Sequence, residues 1–377
     1  MRMMELGNVV SAAEGRLRGR LRELVEVESP SEDKAAVDRA GELVVEWVEG
    51  MGGKVRRHRQ KKFGDVLELQ FGPTRSKRAR VLLLGHLDTV WPMGTLRKMP
   101  WREADGKLWG PGVLDMKAGV VMALEAVAAL RELDAERPVT LLLVSEEEVG
   151  SPVSRAITEK VAEESAAVLV LEPAQGLAYK TARKGVGNYG LRVEGVGSHA
   201  GGDFGAGHSA VLEMARLVET VSGFTDLGKG LTVNVGVISG GTRSNVVAAE
   251  CRADVDVRSA KAKDAARVER LFRGLKVTDT ACRLTVSGGI NRPPMERKAG
   301  TVALFKLARG LAAEMGFVLE EAATGGGSDG NFTAALGVPT LDGMGAVGVG
   351  AHAVHECVEV RYLVERTVLL GGIVAGL

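Results

Sequence analysis

The chain has 377 residues, with 49 Lys and Arg residues against 48 Asp and Glu residues and a hydrophobic content of 45%. This length allows two domains, or one large domain with an insertion. The balanced charge gives no general attraction to nucleic acid or to a membrane surface, and no stretch approaches the roughly 18 apolar residues of a transmembrane helix. The three widely spaced cysteines exclude a disulfide framework and favour a reducing, cytoplasmic location.

The N-terminal part of the chain shows a helical pattern followed by a basic run. The first residues lack the apolar core and cleavage site of a signal peptide and indicate the start of a surface helix. Apolar residues recur at helical spacing from Asp33 to Met51. The basic run between Lys54 and Arg80 lacks the aromatic or recognition elements of a nucleic-acid site, so a solvated sheet edge is favoured.

The segment Val81–Val90, with the sequence VLLLGHLDTV, combines a strand pattern with metal-binding residue types. Its apolar run predicts a strand buried on both faces. His86 and Asp88 come at the carboxyl end of this strand, where open α/β sheets bind their ligands. On an extended chain both side chains point the same way, so one can bind a metal while the other orients it. A lone His-x-Asp is more often part of a solvated loop, so further ligands are needed.

The rest of the chain predicts an α/β domain interrupted by an insertion. A helix at Lys117–Leu133 and strands at Val139–Val144 and Ala167–Leu171 continue the α/β alternation. After about Gly185 the order becomes β-α-β-β-α-β, that of a ferredoxin-like unit. Its predicted elements are strand Asn188–Gly195, helix His208–Val221, strands Leu231–Ile238 and Val247–Val257, helix Lys261–Leu275 and strand Cys282–Ser287. We therefore expect a discontinuous α/β domain of residues 1–186 and 295–377, with an inserted α+β domain of residues 187–294.

Five segments carry acidic or His residues at strand ends or in Gly-rich loops. Buried charges of this kind are costly unless they are paired or bound to a cation. His and carboxylate ligands without thiolates are typical of catalytic zinc. Two His, two Glu and one Asp fit a two-metal site, and a further Glu can act as general base. The candidates are His86 and Asp88, Asp115, the triplet Glu146–Glu148, Glu172, and His352 with His355.

The motifs GHLDTV, GPGVLDMKAG, EEEVGS, LEP and GAH, in this order and with an inserted domain, resemble a known enzyme family. This is the dizinc metallopeptidase and amidohydrolase family of aminoacylase, acetylornithine deacetylase, succinyl-diaminopimelate desuccinylase and glutamate carboxypeptidase. The resemblance implies a central mixed, largely parallel sheet flanked by helices, and an inserted ferredoxin-like domain that acts as a lid and dimerises. It also implies a cis peptide bond between Asp115 and Met116.

The resemblance assigns roles to the ligand candidates. Two divalent metal ions, with zinc preferred over cobalt or manganese, would be shared by a bridging Asp115 and four further ligands. These ligands would be His86, Glu148, Glu172 and His352. Glu147 would be the general base and Asp88 the carboxylate that holds the His86 imidazole. His355 is a competing ligand, but His352 is favoured because it follows the Gly-rich loop directly.

The inserted domain carries candidates for substrate binding. His199, in GVGSHAG, would come from the partner subunit of a homodimer and stabilise the oxyanion, if the resemblance holds. Arg258 can offer a guanidinium fork to a free carboxylate, with Asn245 at the same end of the substrate and Arg292 as a second candidate. The plainer interpretations are a surface His and a charge at a sheet edge.

The motifs RKGVGNY, TGGGSDG and NRP place the chain nearest to the glutamate carboxypeptidase branch of the family. We expect a cytoplasmic, metal-dependent hydrolase that cleaves an amide bond next to a free carboxylate and releases an amino acid from a small peptide or N-acyl amino acid. One alternative is an N-acyl-amino-acid deacylase of the acetylornithine or succinyl-diaminopimelate type. Another is a catalytically inactive metal-binding protein. Neither nucleic acid nor a membrane is expected as a partner.

Overall fold

The computed structural model describes residues 2–73, 76 and 78–377. The chain forms two compact units. The first comprises Met1–Ala182, Arg297–Ala323 and Ser328–Leu377, and the second comprises Arg183–Glu296 and Thr324–Gly327. This division differs from the predicted boundaries mainly in residues 324–327, which belong to the second unit.

In the described part of the chain, three helices and then five strands precede the helix Ala118–Glu132, and helices and strands are interspersed after it. The helices are α1 Met3–Ala12, α2 Glu14–Glu26, α3 Lys34–Gly50, α4 Ala118–Glu132, α5 Arg155–Glu163, α6 Ala210–Ser222, α7 Ala262–Arg273, α8 Ala299–Glu314, α9 Gly330–Ala335 and α10 Leu363–Gly376. The strands are β1 Lys54–His58, β2 Val66–Phe71, β3 Val81–His86, β4 Arg102–Ala104, β5 Lys107–Trp109, β6 Val139–Val144, β7 Ala167–Val170, β8 Tyr179–Arg183, β9 Gly185–Glu194, β10 Thr232–Gly240, β11 Glu250–Ser259, β12 Arg283–Arg292, β13 Glu321–Thr324, β14 Thr340–Leu341, β15 Gly348–Val349 and β16 Cys357–Glu359.

The first unit is built on a six-stranded sheet with the order β1-β2-β6-β3-β7-β14. Strands β6, β3, β7 and β14 are parallel, while β1 and β2 form an antiparallel edge. The predicted mixed, largely parallel sheet is thus confirmed. Strand β3 lies in its middle and is buried along its whole length. Leu83 packs into the core on one face, and Leu82 and Leu84 pack into the core on the other. Burial on both faces explains why this strand is continuously apolar.

Helices cover this sheet, and their ends follow local sequence signals. The side chain of Asp33 accepts a hydrogen bond from the backbone N–H of Ala36 and caps the start of α3. Helix α4 is buried on nearly all sides. Its Glu125 carboxylate, itself buried, forms ion pairs of 2.7 Å with Arg16 and 2.8 Å with Arg20, both on α2. These contacts fix α4, the helix that begins three residues after Asp115.

The second unit has an antiparallel four-stranded sheet with the order β10-β11-β9-β12. Helix α6 follows β9 and helix α7 follows β11, and both pack on the sheet. The predicted β-α-β-β-α-β arrangement is therefore present. Tyr189 of β9 stacks on Phe272 of α7, with ring centroids 3.9 Å apart, inside a separate apolar core. Strand β10 is an edge strand of this sheet.

Several smaller predictions can be compared with the structure. The N-terminal residues form helix α1, and part of the basic run forms the edge strand β1. Thr74, Arg75 and Lys77, which belong to the same run, lie outside the described residues. Among the helices of the described ranges, none is long and apolar enough to cross a membrane. The three cysteines are buried free thiols.

Gly119 allows α4 to approach the end of β7 closely, and replacing it tests this packing. A Cβ atom at Gly119 would lie 2.1 Å from the carbonyl oxygen of Leu171. We expect Gly119→Ala to lower the free energy of unfolding by about 1–3 kcal/mol, as overpacking usually does. Gly19→Ala on α2 is the matched control, because a Cβ there meets nothing within 4 Å. The free energy of unfolding of this control should rise by up to about 1 kcal/mol. Urea unfolding measures both, and equal stability of the two variants would contradict the packing.

Candidate metal centre

The ends of three parallel strands bring acidic and His residues to one edge of the first unit's sheet. His86 is the last residue of β3, Glu147 and Glu148 follow β6, and Glu172 follows β7. Carboxyl ends of neighbouring parallel strands meet at the same edge, which is where such sheets bind ligands. His86 and Glu172 are only 1% and 7% exposed. Their charges are therefore costly unless they are compensated locally.

Asp115 lies between two imidazoles. Its Oδ1 is 3.2 Å from Nε2 of His86, and its Oδ2 is 3.4 Å from Nε2 of His352. Each carboxylate oxygen thus faces a different ring, which is the arrangement expected of a bridging ligand. The peptide bond between Asp115 and Met116 is cis, as the family resemblance implies.

One further carboxylate stands beside each imidazole. Oε1 of Glu172 is 3.7 Å from Nε2 of His86, and Oε1 of Glu148 is 3.1 Å from Nε2 of His352. Two ligand atoms bound to one tetrahedral zinc, each at 2.0–2.1 Å, are about 3.3 Å apart. The observed separations of 3.1–3.7 Å match this value. Nitrogen and oxygen donors without sulfur also suit zinc, cobalt or manganese. The residues present therefore fit divalent cations.

Of the two candidate histidines in GAHAVHE, His352 is the one that contacts the other ligands. It adopts a left-handed backbone conformation with φ of +62°, which is uncommon outside glycine. The ring of His355 lies next to Gly350 instead, where a Cβ atom would be 2.8 Å from its Cδ2. The turn therefore presents the first histidine of the motif to Asp115 and Glu148.

The carboxylates make this centre strongly attractive to positive charge. Hydrogen bonds with Asp115 and Glu148 raise the pKa of His352 to about 10. Burial opposes protonation of His86, yet hydrogen bonds with Asp115 and Asp88 raise the pKa of this ring well above its usual value. Despite its burial, Asp115 has a pKa below its usual range because both imidazoles face it. Protons therefore compete with cations for these ligands.

Asp88 connects two ligand segments. Nδ1 of His86 is 2.9 Å from the backbone carbonyl oxygen of Asp88 and 3.4 Å from its carboxylate. The carboxylate accepts closer hydrogen bonds, at 2.6 Å from Oγ of Ser31 and at 3.1 and 3.2 Å from the backbone N–H groups of Glu147 and Glu148. The Asp88 backbone carbonyl is thus the nearest Asp88 group to the His86 ring, while the carboxylate faces both this ring and the backbone of the two glutamates. The predicted role of Asp88, to hold the His86 imidazole, stays a prediction.

The three consecutive glutamates have different surroundings. The buried carboxylate of Glu146 turns inward and accepts hydrogen bonds from Oγ of Ser145 at 2.7 Å and from the backbone of Ser154 at 2.6 Å. Glu148 faces His352. An oxygen of Glu147 lies within 4.8 Å of ligand atoms of both His86 and Glu172. Glu147 therefore lies at the centre beside His86 and Glu172.

Two residues that support the centre escaped the sequence analysis. Ser31 lies in the Ser-Pro-Ser turn before α3, and its short polar side chain is common in any turn. Glu356 is 0% exposed and lies directly before strand β16. Its partners lie more than 240 residues earlier in the chain, so the residues around Glu356 gave no signal of its role.

The predicted substrate-binding residues all belong to the second unit. His199 and Asn245 come from facing loops, in which the N–H of Ala200 donates to the carbonyl of Asn245 at 3.0 Å. Nδ1 of His199 accepts hydrogen bonds from the N–H groups of Gly201 and Gly202 at 3.2 and 2.9 Å. Because Nδ1 is the acceptor, the proton of the neutral ring is on Nε2, which can donate outward.

The two predicted arginines approach the loop of residues 325–327. Arg258 forms an ion pair of 2.8 Å with Asp256, and its Nη1 is 3.5 Å from the carbonyl oxygen of Gly325. Arg292 is buried against Gly327, where a Cβ atom would be 2.8 Å from its Cδ. Arg183, which the sequence analysis missed, donates to the carbonyl groups of the same loop at 3.0 and 3.3 Å.

Comparison with known proteins identifies the family. Peptidase family M20/M25/M40 matches residues 82–375 of the chain. The chain belongs to this family. The relatives that this chain matches are named for more than one activity.

Two relatives and one solved structure illustrate this. Carboxypeptidase G2 from Pseudomonas sp. is 28% identical over 345 residues, covering 88% of this chain and 82% of that protein. Succinyl-diaminopimelate desuccinylase from Cereibacter sphaeroides is 31% identical over 303 residues, covering 74% and 78%. The crystal structure of aminopeptidase PepT from Bacillus cereus has a TM-score of 0.79 at 21% identity, covering 96% of this chain and 98% of that one. This structure shows that the fold is shared.

The two histidines of GAHAVHE offer a matched test of the centre. We expect His352→Ala to weaken the binding of a divalent cation by about 100-fold or more, because a direct ligand is removed. His355→Ala, three residues away, should bind cations as the unchanged protein does. Equilibrium dialysis of chelator-treated protein with Zn²⁺ measures both. The reverse result would assign the ligand to His355.

Proposed function

We propose that the chain is a metal-dependent hydrolase that cleaves an amide bond next to a free carboxylate, releasing an amino acid from a small peptide or an N-acyl amino acid. The observation that carries this proposal is the placement of His86 and His352 on opposite oxygens of Asp115. Glu147 supports it by offering an additional carboxylate at the same centre. Relatives named as a carboxypeptidase and as a desuccinylase also support this class of reaction.

The ligand set divides into two groups that share Asp115. His86 and Glu172 would hold one divalent cation, and His352 and Glu148 would hold the other. Zinc is the preferred ion, with cobalt and manganese as alternatives. Bound cations of this kind supply Lewis-acid activation of the scissile carbonyl and lower the pKa of water. The acidic residues at the centre supply the negative charge that two divalent cations would balance.

Glu147 is the proposed general base. It would take a proton from the attacking water and deliver it to the nitrogen of the leaving amine. Of the other two glutamates, Glu146 accepts hydrogen bonds from Ser145 and Ser154, and Glu148 faces His352 as a proposed metal ligand. The N–H of Glu147 donates a hydrogen bond of 3.1 Å to the Asp88 carboxylate, and this bond fixes the backbone of Glu147. A fixed backbone limits the positions that the carboxylate can take.

His199 is the proposed oxyanion donor, and we place it in a second copy of the chain. The Nε2–H of its neutral ring is the type of donor that stabilises a tetrahedral oxyanion. Homodimer formation through the second unit is supported by the edge strand β10, where Val237 and Ile238 are 56% and 54% exposed. Exposed apolar residues on an unpaired edge favour association with another chain.

The free carboxylate of the substrate is assigned to Asn245, Arg258 and Arg292. Arg258 already pairs with Asp256, so a substrate carboxylate would share the guanidinium with this partner. A planar guanidinium can serve two carboxylates through different edges. A second candidate function, removal of an N-acyl group such as succinyl, is favoured by the desuccinylase relative. A screen of dipeptides and N-acyl amino acids, with and without a chelator, separates the two substrate classes.

Replacing Glu147 tests the chemistry directly. We expect Glu147→Gln to lower kcat by about 100- to 10,000-fold while the bound metal content stays unchanged, because general-base catalysis contributes that much. Glu163→Gln, the same change at an exposed position on α5, is the control and should leave kcat unchanged. Turnover of the best substrate and elemental analysis give both values. Wild-type turnover in Glu147→Gln would exclude this base.

A mixture of two inactive variants tests whether His199 acts across the dimer. His199→Ala alone should lower kcat by about 100- to 1,000-fold with metal content unchanged. Mixed and re-formed dimers of His199→Ala and Glu147→Gln would contain one site with both residues intact. Random mixing should then restore up to about a quarter of the wild-type activity. Absence of restored activity in dimers shown to be hybrid would mean that His199 does not act from the second copy.

A further inference from the structure

The buried carboxylate of Glu356 accepts hydrogen bonds from four N–H groups next to the metal centre. Oε1 of Glu356 accepts hydrogen bonds from the backbone N–H groups of Leu114 at 2.9 Å and Asp115 at 3.1 Å. Its Oε2 accepts from the N–H of Gly112 at 3.0 Å and from the indole Nε1–H of Trp91 at 2.9 Å. Four donors on two oxygens require an ionised acceptor, since a protonated carboxyl would have to donate one hydrogen bond.

These contacts join three of the segments that carry proposed metal ligands. Trp91 follows His86 and Asp88 in the loop after β3, while Gly112–Asp115 is the segment of the bridging carboxylate. Glu356 lies four residues after His352. Between them, the N–H of Glu356 donates to the carbonyl of Ala353 at 2.8 Å, and the N–H of Ala353 donates to the carbonyl of Gly350 at 2.8 Å. The His352 turn is therefore tied to the Glu356 side chain through short backbone hydrogen bonds.

Both loops need such support because neither ligand lies on a regular helix or strand. Asp115 has non-helical φ and ψ angles of −114° and 94° in the segment before α4. His352 adopts a left-handed conformation, which persists only where the surroundings hold it. Glu148, their common neighbour, is positioned separately by Asp88. Glu356 is thus a side chain that links the Asp115 loop to the turn of His352 from outside the ligand set.

We propose that Glu356 is a positioning residue that holds Asp115 opposite His352 and so sets the affinity of the cation site formed by Asp115, Glu148 and His352. The proposal rests on the function proposed above, in which this group binds a divalent cation. Groups that orient metal ligands from behind typically change metal affinity by about 10- to 100-fold when they are altered. The site of His86 and Glu172 shares only Asp115 with this turn and should be affected less.

The variant Glu356→Gln keeps the size of the side chain and removes its charge. An amide has one acceptor oxygen, so its NH₂ group would face two of the four N–H donors. Titration of chelator-treated protein with Co²⁺, followed by visible absorption, gives the affinity and stoichiometry of each site. The Co²⁺ site that His352→Ala loses identifies the His352 site in these titrations. We expect Glu356→Gln to lower the Co²⁺ affinity of that site about 10- to 100-fold. Combining the two changes should add little further loss, because both act on one site.

Two controls separate positioning from general damage. Glu359→Gln changes a nearby glutamate that pairs with Arg361 at the surface and should leave both affinities unchanged. Trp91→Phe removes one donor from Oε2 but leaves the contact with Asp115, and it should weaken the site by less than about threefold. If Glu356→Gln does not fold, Glu356→Asp replaces it, because the shorter carboxylate cannot reach all four donors.

The outcomes distinguish this inference from the proposed function. Two Co²⁺ sites in the unchanged protein and selective loss of the His352 site in the Glu356 variant support the positioning role. Unchanged affinities in that variant overturn the role and leave the function intact. An equal loss at both sites, with a lower melting temperature of the metal-free protein, overturns it in favour of general stabilisation. Absence of Co²⁺ binding by the unchanged protein overturns the proposed function itself.

Discussion

The carboxylate of Asp115 faces an imidazole with each of its oxygens, and the architecture of the first unit can be understood from this arrangement. His86 lies at the end of the buried central strand β3, whereas His352 lies in a turn near the other end of the sequence. Glu148 and Glu172 add further negative charge within a poorly solvated space. The negative charges of these carboxylates repel one another unless protons or cations compensate them. The raised pKa of His352 reflects that demand for positive charge.

Rigid and irregular parts of the fold share the task of holding these ligands. The parallel strands give His86 and Glu172 fixed positions, since β3 and its neighbours are buried on both faces. Asp115 lies in an irregular segment and has no strand to fix it. Buried acceptors that face backbone N–H groups compensate for this, the Asp88 carboxylate at the glutamate turn and the Glu356 carboxylate at the Asp115 loop. Each of them satisfies donors that a loop would otherwise leave unpaired.

Strands and strand-end ligands could be predicted from the sequence because they follow a residue pattern. Contacts made by the backbone, or between segments far apart in the chain, could not be predicted in this way. Continuous apolar runs located the strands, and the polar residue at each strand end located His86 and Glu172. The spacing of His86 and Asp88 could not show that the nearer partner of the imidazole is a backbone carbonyl. The glutamate triplet needed the family resemblance, because sequence alone does not show that Glu146 turns inward. Glu356 was missed since its partners lie more than 240 residues away.

The central claim is that Asp115 bridges two divalent cations, and anomalous scattering from crystals of zinc-loaded protein tests it most directly. The proposed function predicts two peaks at the zinc edge, about 3.5–4 Å apart, each bound to a different oxygen of Asp115. One peak should lie beside His86 and Glu172 and the other beside His352 and Glu148. A single peak, or two peaks that do not share Asp115, would contradict the account.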